Sequence, residues 1–263
     1  EGATKRVVRL ADLLLPLLPA GRGVVSLVGA GGKTSLLFHL ASELGAEGCP
    51  VLVTTTTHLA DPRDETDAFA GTVLLLPALE RADDAAQIPA PAPGVTLLVA
   101  RPDEPPRKLK GIDPSHVARL ATAWPFVLVE ADGARRLPIK APAEHEPVVP
   151  AGTRVTVGVL GLDALGWPMD ERTVHRPELF AAVTGCLPGA AIGWDHVVAL
   201  ARHPDGLFKG ARGARVVLLN KVDESPYLPS PGQLLALGAD LVLLSGADET
   251  ERVFFTVRQG PAA

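Results

Sequence analysis

The segment from Val24 to Ser35, VVSLVGAGGKTS, constrains the fold of this chain more than any other stretch. It opens with an apolar run, Val24 to Val28, that is typical of a buried parallel strand. Glycines then leave a bend with almost no side chains, where backbone N–H groups can converge on an anion. Beyond the bend, apolar residues recur at helical spacing from Leu36 to Leu44. The segment therefore predicts a strand that enters a helix through an anion-binding loop.

The side chains at the start of this helix indicate which anion is bound. Lys33 supplies a point charge for terminal phosphates, and Thr34 or Ser35 supplies a hydroxyl for a magnesium ion. The full pattern of a phosphate-binding P-loop, G-x-x-x-x-G-K-[ST], requires a glycine where this chain has Leu27, so the chain carries a shorter G-x-x-G-K-T form. A glycine-rich turn without a ligand is the alternative interpretation. The predicted phosphate-binding residues are Gly29, Ala30, Gly31, Gly32, Lys33, Thr34 and Ser35.

A second motif, RVVLLNKVD from Arg215 to Asp223, indicates the base of the nucleotide. An apolar strand ends in Asn220 and Lys221, and the Asp223 carboxylate can accept from the N1–H and amino groups of guanine, a pair of donors that adenine lacks. This element resembles the N-K-x-D motif of GTPases. A further predicted strand ends at Ser245, and the loop that follows resembles the one that closes the base pocket of GTPases through a backbone N–H. A structural turn after a strand is the alternative.

A third element, FVLVEADG from Phe126 to Gly133, brings two carboxylates to the same predicted sheet edge. It resembles the magnesium-binding and γ-phosphate-sensing segment of metal-insertion and cofactor-maturation GTPases. Glu130 or Asp132 would hold the metal together with Thr34, and the N–H of Gly133 would sense the phosphate. The sequence leaves open which carboxylate faces the metal, although Asp132 lies nearer the loop and is expected to have the larger effect. In the alternative interpretation, Asp132 and Gly133 form a turn.

Apolar runs and helical patterns alternate along the whole chain, which predicts an α/β fold. We expect a mostly parallel, P-loop NTPase-like sheet between helices, in three layers, forming one domain over residues 1–263 with surface excursions around 77–115 and 134–150. The strand that begins at Val51 is expected beside the glycine-loop strand. Predicted helices include 114–123, 195–201, one after Pro177, one after Ser230 and a final one near 249–257.

Charge and hydropathy exclude some classes of partner. The formal net charge of −5 and the scattered basic residues argue against nucleic-acid binding, which requires a basic face. Apolar runs stay shorter than the 18 or so residues of a membrane helix, so no membrane association is expected. No signal-like segment opens the sequence, and we expect a cytoplasmic protein.

Several longer blocks give the chain a specific resemblance. VGAGGKTS, VLVTTTTH, VEADGARRLPIKAPAEHEPVVP, VHRPELFAAVTG and HPDGLFKGARGARVVLLNKVD occur in that order between about Val24 and Asp223. Together they resemble YqeC-type proteins, which are described as accessory to selenium-dependent molybdenum hydroxylases. The resemblance implies a partner of that kind, either a molybdenum hydroxylase or an intermediate of its cofactor. Many GTPases of this general type also form homodimers across the nucleotide face.

These blocks contain further ionisable residues that invite a functional interpretation. His58, Lys140 and His145 are expected to line a second pocket, and Arg135 and Arg136 could neutralise phosphate charge or bind an anionic substrate. For each of these groups, a solvated surface position is the alternative. His175 and Arg176 precede a predicted helix, and helix capping is a sufficient explanation for both.

The resulting expectation is a GTP-binding, Mg²⁺-dependent NTPase that acts in maturation of a molybdenum enzyme. Lys33, Glu130 and Asp132 would be catalytic, and Thr34 would bind the metal with one of the two carboxylates. No glutamine follows Gly133 to orient the attacking water, so turnover without a partner should be slow. One alternative is an ATP-dependent small-molecule kinase or ligase, because the shortened loop has the spacing seen in amino-acid-adding ligases. Another is a nucleotide-gated scaffold without turnover.

Overall fold

A computed structural model describes residues 8–64, 71–82, 87–103, 108–246 and 254–258. Their strands are β1 (Gly23–Gly29), β2 (Pro50–Thr55), β3 (His58–Ala60), β4 (Thr72–Leu75), β5 (Gly94–Val99), β6 (Arg101–Asp103), β7 (Lys108–Lys110), β8 (Phe126–Glu130), β9 (Ile139–Lys140), β10 (Thr153–Gly161), β11 (Val174–His175), β12 (Ala214–Asn220), β13 (Leu241–Ser245) and β14 (Phe254–Arg258). Their α-helices are α1 (Leu10–Leu14), α2 (Lys33–Gly45), α3 (Ser115–Ala123), α4 (Pro177–Thr184), α5 (Trp194–Arg202) and α6 (Pro231–Leu235). Short 3₁₀ turns lie at Leu15–Leu17, Pro19–Gly21, Pro62–Asp64, Pro77–Glu80 and Leu162–Ala164.

Nine of the strands form one sheet in the order β14-β13-β12-β10-β1-β8-β2-β5-β4. All neighbours are parallel except β13 and β14, which are antiparallel. The glycine-loop strand β1 is central, between β10 and β8. The expectation that β2 lies beside β1 is wrong, because β8 pairs with both and separates them. Glu130, at the end of β8, is thereby placed next to the glycine loop.

Helices cover both faces of this sheet. Along β8, Leu128 packs with α1 and α2 on one face, whereas Val127 and Val129 pack with α3 on the other. Towards β12 and β13, the second face is covered by α4, α5 and α6. This alternation follows from the period of two along a strand, and it produces the predicted three-layer α/β fold with a mostly parallel sheet.

Two small sheets extend the carboxyl edge of the main sheet. The strands β3, β7 and β6 form an antiparallel sheet, and β9 pairs in parallel with β11. Within the part of the chain that the structure describes, no helix combines the length and the apolar character needed to cross a membrane.

The predicted helices at 114–123 and 195–201 and those after Pro177 and Ser230 are present, but the final one is not. Residues 254–258 form strand β14, and residues 247–253, where that helix was expected to begin, lie outside the described ranges. The run Phe-Phe-Thr-Val has the aromatic and β-branched composition that strands favour. The excursion expected over residues 77–115 contains β5, a strand of the main sheet, and the one over 134–150 contains the buried strand β9.

Candidate functional site

The loop between β1 and α2 has the backbone geometry of an anion cradle. Gly31 and Gly32 have φ of +84° and +114°, and a Cβ on Gly31 would lie 2.2 Å from the amide nitrogen of Gly161. Glycine is therefore required at this tight bend. The bend allows α2 to begin at Lys33, directly beneath the loop.

The structure distinguishes which amides can reach an anion. Those of Gly29, Ala30 and Gly31, predicted to contact phosphate, donate instead to Asp132 Oδ2, Val159 O and Leu137 O, at 3.0, 2.9 and 3.0 Å. Within the described residues, the next four N–H groups have no acceptor; these are the amides of Gly32, Lys33, Thr34 and Ser35. They form the N-terminus of α2, where the helix dipole also favours negative charge.

Lys33 directs its ammonium group into the same loop. Its Nζ donates to Gly29 O at 2.6 Å and lies 3.2 Å from Asp132 Oδ1. The side chain is almost completely buried, yet the residue lines the cleft. A phosphate at the helix N-terminus would therefore meet a positive charge that the protein already holds in place.

Glu130 and Thr34 form an oxygen pair at the edge of the loop. Thr34 Oγ1 donates to Glu130 Oε2 at 2.8 Å, and Thr55 Oγ1 fixes the Glu130 backbone by donating to its carbonyl at 2.8 Å. Burial raises the pKa of the Glu130 carboxyl, and the positive charge of Lys33 and the hydroxyl of Thr34 oppose that rise. A buried carboxylate of this kind is stabilised by a nearby cation.

Asp132 is oriented differently from Glu130. It is 1% exposed and accepts from Gly29 N while contacting Lys33 and Lys140, the latter at 2.8 Å. Glu130 lines the cleft and Asp132 does not. Of the two carboxylates, Glu130 is therefore the one that reaches the cleft, whereas the Asp132 carboxylate contacts the backbone of the loop.

One cleft of about 910 Å³ connects the glycine loop with the two small sheets. Five non-glycine residues among the described ones have left-handed φ, and four of these, all cationic, line the cleft: Arg135, Arg136, Arg176 and Lys221. Left-handed backbone is costly for residues with a Cβ and persists mainly where a site requires it.

An ion-pair chain runs from the glycine loop to the residue that precedes α4. Lys140 Nζ contacts Asp132 and also Glu146 Oε2 at 2.9 Å, and Glu146 in turn accepts two hydrogen bonds from Arg176. Burial raises the pKa of the Glu146 carboxyl, but Arg176 and Lys140 outweigh that effect and lower it to about 2. Arg176 is the residue that precedes α4, so its position before a helix was predicted from sequence, whereas its bond to Glu146 was not.

Of the three residues expected in a second pocket, only His58 lines this cleft, and its Nε2 lies 2.8 Å from Asp103 Oδ2. Lys140 is buried beneath the cleft floor in the ion-pair chain, and His145 is exposed outside the lining. The cleft lining contains His175 and Arg176 instead of Lys140 and His145. Their signal in the sequence is the His-Arg pair of the VHRPELF block. The capping explanation is wrong for Arg176, whose side chain makes no capping bond to α4 and binds Glu146 instead.

The Asn220 to Asp223 loop is attached to the glycine loop. Asn220 Nδ2 donates to Gly31 O at 2.8 Å, and Lys221 Nζ lies 2.8 Å from Asp163 Oδ2. Asp223 is exposed and lies beside the end of β13, since a Cβ on Gly246 would come within 3.3 Å of its Oδ2. The buried Ser245 borders the same corner, where its carbonyl accepts from Val222 N at 3.1 Å.

Oxygen and nitrogen ligands for a transition metal are not gathered in this cleft. Among the described residues, no group of three or more His, Cys, Asp or Glu side chains is arranged to hold a metal ion. The pair Thr34 and Glu130 fits Mg²⁺ instead, because that ion takes one or two protein oxygens and completes its shell with phosphate and water.

Comparisons with known proteins agree with the sequence blocks. The family model described as YqeC protein matches residues 25–178. A curated relative from Escherichia coli (strain K12), named "Uncharacterized protein YqeC", is 36% identical over 217 residues, which are 81% of this chain and 81% of the relative. No solved structure matches the chain. From the family match and this relative together, the chain belongs to the YqeC family.

Proposed function

We propose that this protein binds a purine nucleoside triphosphate, preferentially GTP, together with Mg²⁺, and hydrolyses it slowly. The observation that carries the proposal is the set of four acceptor-free N–H groups at the start of α2, beside Lys33 and the Thr34–Glu130 pair. These groups combine an anion cradle, a cation and two metal-suitable oxygens within one loop. The charged and hydroxyl residues are those that phosphoryl-transfer proteins require.

In this proposal the protein supplies binding and positioning. The amides of residues 32–35 and Lys33 hold the phosphates, while Thr34 and Glu130 hold the metal. When bound, Mg²⁺ neutralises developing charge on the phosphate oxygens. Asp132 keeps Lys33 oriented by contacting its ammonium group from the side away from the cleft.

Support for guanine comes from the corner at the end of β12. Asp223 lies beside Gly246, and Asn220 connects this corner to the glycine loop. A carboxylate there is complementary to the two adjacent donors of guanine. If ATP is preferred, the ATP-dependent kinase or ligase is the better interpretation, and binding without turnover would favour a nucleotide-gated scaffold.

Family membership supports a cellular context for this activity. The resemblance stated above implies an accessory role in maturation of a selenium-dependent molybdenum hydroxylase or of its cofactor, and we retain that role as part of the proposal. Copurification of the chain with such an enzyme in a nucleotide-dependent manner would test it.

The experiment that tests nucleotide binding is a titration of fluorescent GTP and ATP analogues against wild type and Lys33→Ala, with and without Mg²⁺. Loss of the charge should weaken binding at least about tenfold. Lys209→Ala is a matched control, because Lys209 Nζ also donates to backbone carbonyls but lies outside the cleft lining. Equal affinities of Lys33→Ala and wild type, with unchanged circular dichroism, would reject the site.

A further inference from the structure

One wall of the cleft, formed by residues outside the glycine loop, carries charged and imidazole groups that the proposed nucleotide site does not use. At about 910 Å³ the cleft lies near the upper end of the range of about 300–1,000 Å³ for ligand sites. Beyond the glycine loop, the cleft lining includes Arg135 and Arg136 after β8 and residues 174–178 around β11. The dimensions leave room for more than one ligand.

His175 is the most unusual residue of this wall. It is only 8% exposed, it lines the cleft, and within the described residues its ring makes no hydrogen bond. The similarly buried His116, by contrast, has its Nε2 2.7 Å from Arg81 O. The ring nitrogens of His175 are not among the buried polar atoms that lack a partner, so they are reached from the cleft. A ligand in the cleft can therefore form a hydrogen bond with the ring.

The charges around His175 define the kind of ligand. Burial and the positive charges of Arg176, Lys140 and Arg135 lower its pKa to about 4, and the charge of Glu146 acts in the opposite direction. The ring is therefore neutral at pH 7 and sits in a positive potential. A neutral imidazole can donate one N–H to an anion in that potential.

Acidic groups balance part of the positive charge in this region. Glu146 is shared between Lys140 and Arg176, and Lys140 also contacts Asp132, so these two acids and two bases are neutral as a whole. Glu171 and Glu178 also line the cleft, but both are exposed to water, which screens them. Arg135 is exposed to the cleft and makes no ion pair within the described residues.

We propose that His175, Arg135 and Arg176 bind the phosphate or similar oxyanion group of a second ligand, at the same time as the nucleotide occupies the glycine loop. Simultaneous binding rests on the proposed nucleotide site, whereas the anion site itself does not. The second ligand is thereby a small anionic molecule held in the same cleft as the terminal phosphate.

The test uses the full chain saturated with Mg²⁺ and a non-hydrolysable GTP analogue. Inorganic phosphate is titrated at pH 7 and constant ionic strength, with calorimetry and the NMR signals of the His175 ring as readouts. We expect one further phosphate per chain and a shift of the His175 signals. Arg135→Ala and His175→Phe should weaken this binding at least fivefold, with analogue affinity within twofold of wild type. Arg172→Ala, 89% exposed in its side chain and outside the lining, should bind phosphate like wild type.

Phosphate that binds only in competition with the analogue would overturn the proposal, as would wild-type affinity in both cleft variants. If the analogue itself fails to bind, the nucleotide proposal fails, and phosphate is then titrated into Lys33→Ala. If phosphate still shifts the His175 signals in Lys33→Ala, the second site is supported. If the shift is absent in this variant, the second site is rejected. Glycerol 3-phosphate is titrated in parallel, because tighter binding than inorganic phosphate would identify a phosphorylated small molecule as the ligand.

Discussion

Two carboxylates separated by one residue have different roles in this site. Glu130 ends β8 and reaches Thr34 at the cleft, whereas Asp132 turns under the loop to Gly29, Lys33 and Lys140. We expect Glu130→Gln to weaken nucleotide binding at least about tenfold in the presence of Mg²⁺ and much less in its absence. Asp132→Asn should weaken nucleotide binding to the same extent with and without Mg²⁺, because it loosens the loop. Titrations of nucleotide with and without Mg²⁺ check this prediction. A larger Mg²⁺-dependent loss in Asp132→Asn than in Glu130→Gln would identify Asp132 as the metal ligand.

A second prediction at the residue scale concerns the base. Asp223→Asn replaces one acceptor oxygen by a donor, which suits the additional carbonyl of xanthine better than the amino group of guanine. Hydrogen bonds to charged groups contribute about 1.5–3 kcal/mol each, so GTP affinity should fall at least about tenfold and relative affinity for XTP should rise. Competition binding of GTP, XTP and ATP measures the change. If the ratio of the GTP and XTP affinities is unaltered, Asp223 has only a structural role in the turn, and the ATP-dependent alternative is favoured.

At the scale of elements, the site depends on two loops that are remote in sequence. Asn220 Nδ2 at the end of β12 donates to Gly31 O across 189 positions, in a buried contact. Asn220→Ala leaves that carbonyl without its partner, and we expect the free energy of unfolding to fall by about 1–3 kcal/mol. Urea unfolding of this variant and of Thr122→Ala, which removes an exposed hydroxyl bond to Arg119 O, provides the comparison. Equal losses in both variants would contradict a linking role for Asn220.

Elements with strong local signals were predictable from the sequence, but their neighbours were not. The strand, glycine loop and helix from Gly23 to Gly45 follow from residues adjacent in the chain. The position of β8 between β1 and β2 depends on pairing across more than 70 residues, and no local pattern encodes it. The same reason explains why Lys140 was expected in a pocket: its ion pairs with Asp132 and Glu146 depend on the path of the intervening loop.

At the scale of the whole molecule, the sheet gathers its polar residues at one edge. The carboxyl ends of β1, β8 and β12 bring the glycine loop, Glu130 and Asn220 together, as open parallel sheets do. Strand β11 contributes His175 to the lining of the cleft above that edge, and its partner β9 carries the buried Lys140. Stability and ligand binding are therefore linked, because the charges that position the loop also keep His175 neutral.

This linkage predicts how stability depends on pH. The pKa of His175 is about 4 in the folded chain, against about 6.5 when unfolded, so between these values the unfolded chain binds a proton that the folded chain does not. Stability must consequently fall as pH decreases through this window. From pH 7 to pH 5 the contribution of His175 is on the order of 1 kcal/mol, after allowance for screening by water in the open cleft. The pKa of Glu146 is about 2 in the folded chain, so its contribution to stability is lost only as the pH falls below about 4.5, which lies outside this range. Urea unfolding at both pH values should show a smaller decrease in His175→Phe than in wild type, and an equal decrease would mean that the ring is already charged in the folded protein.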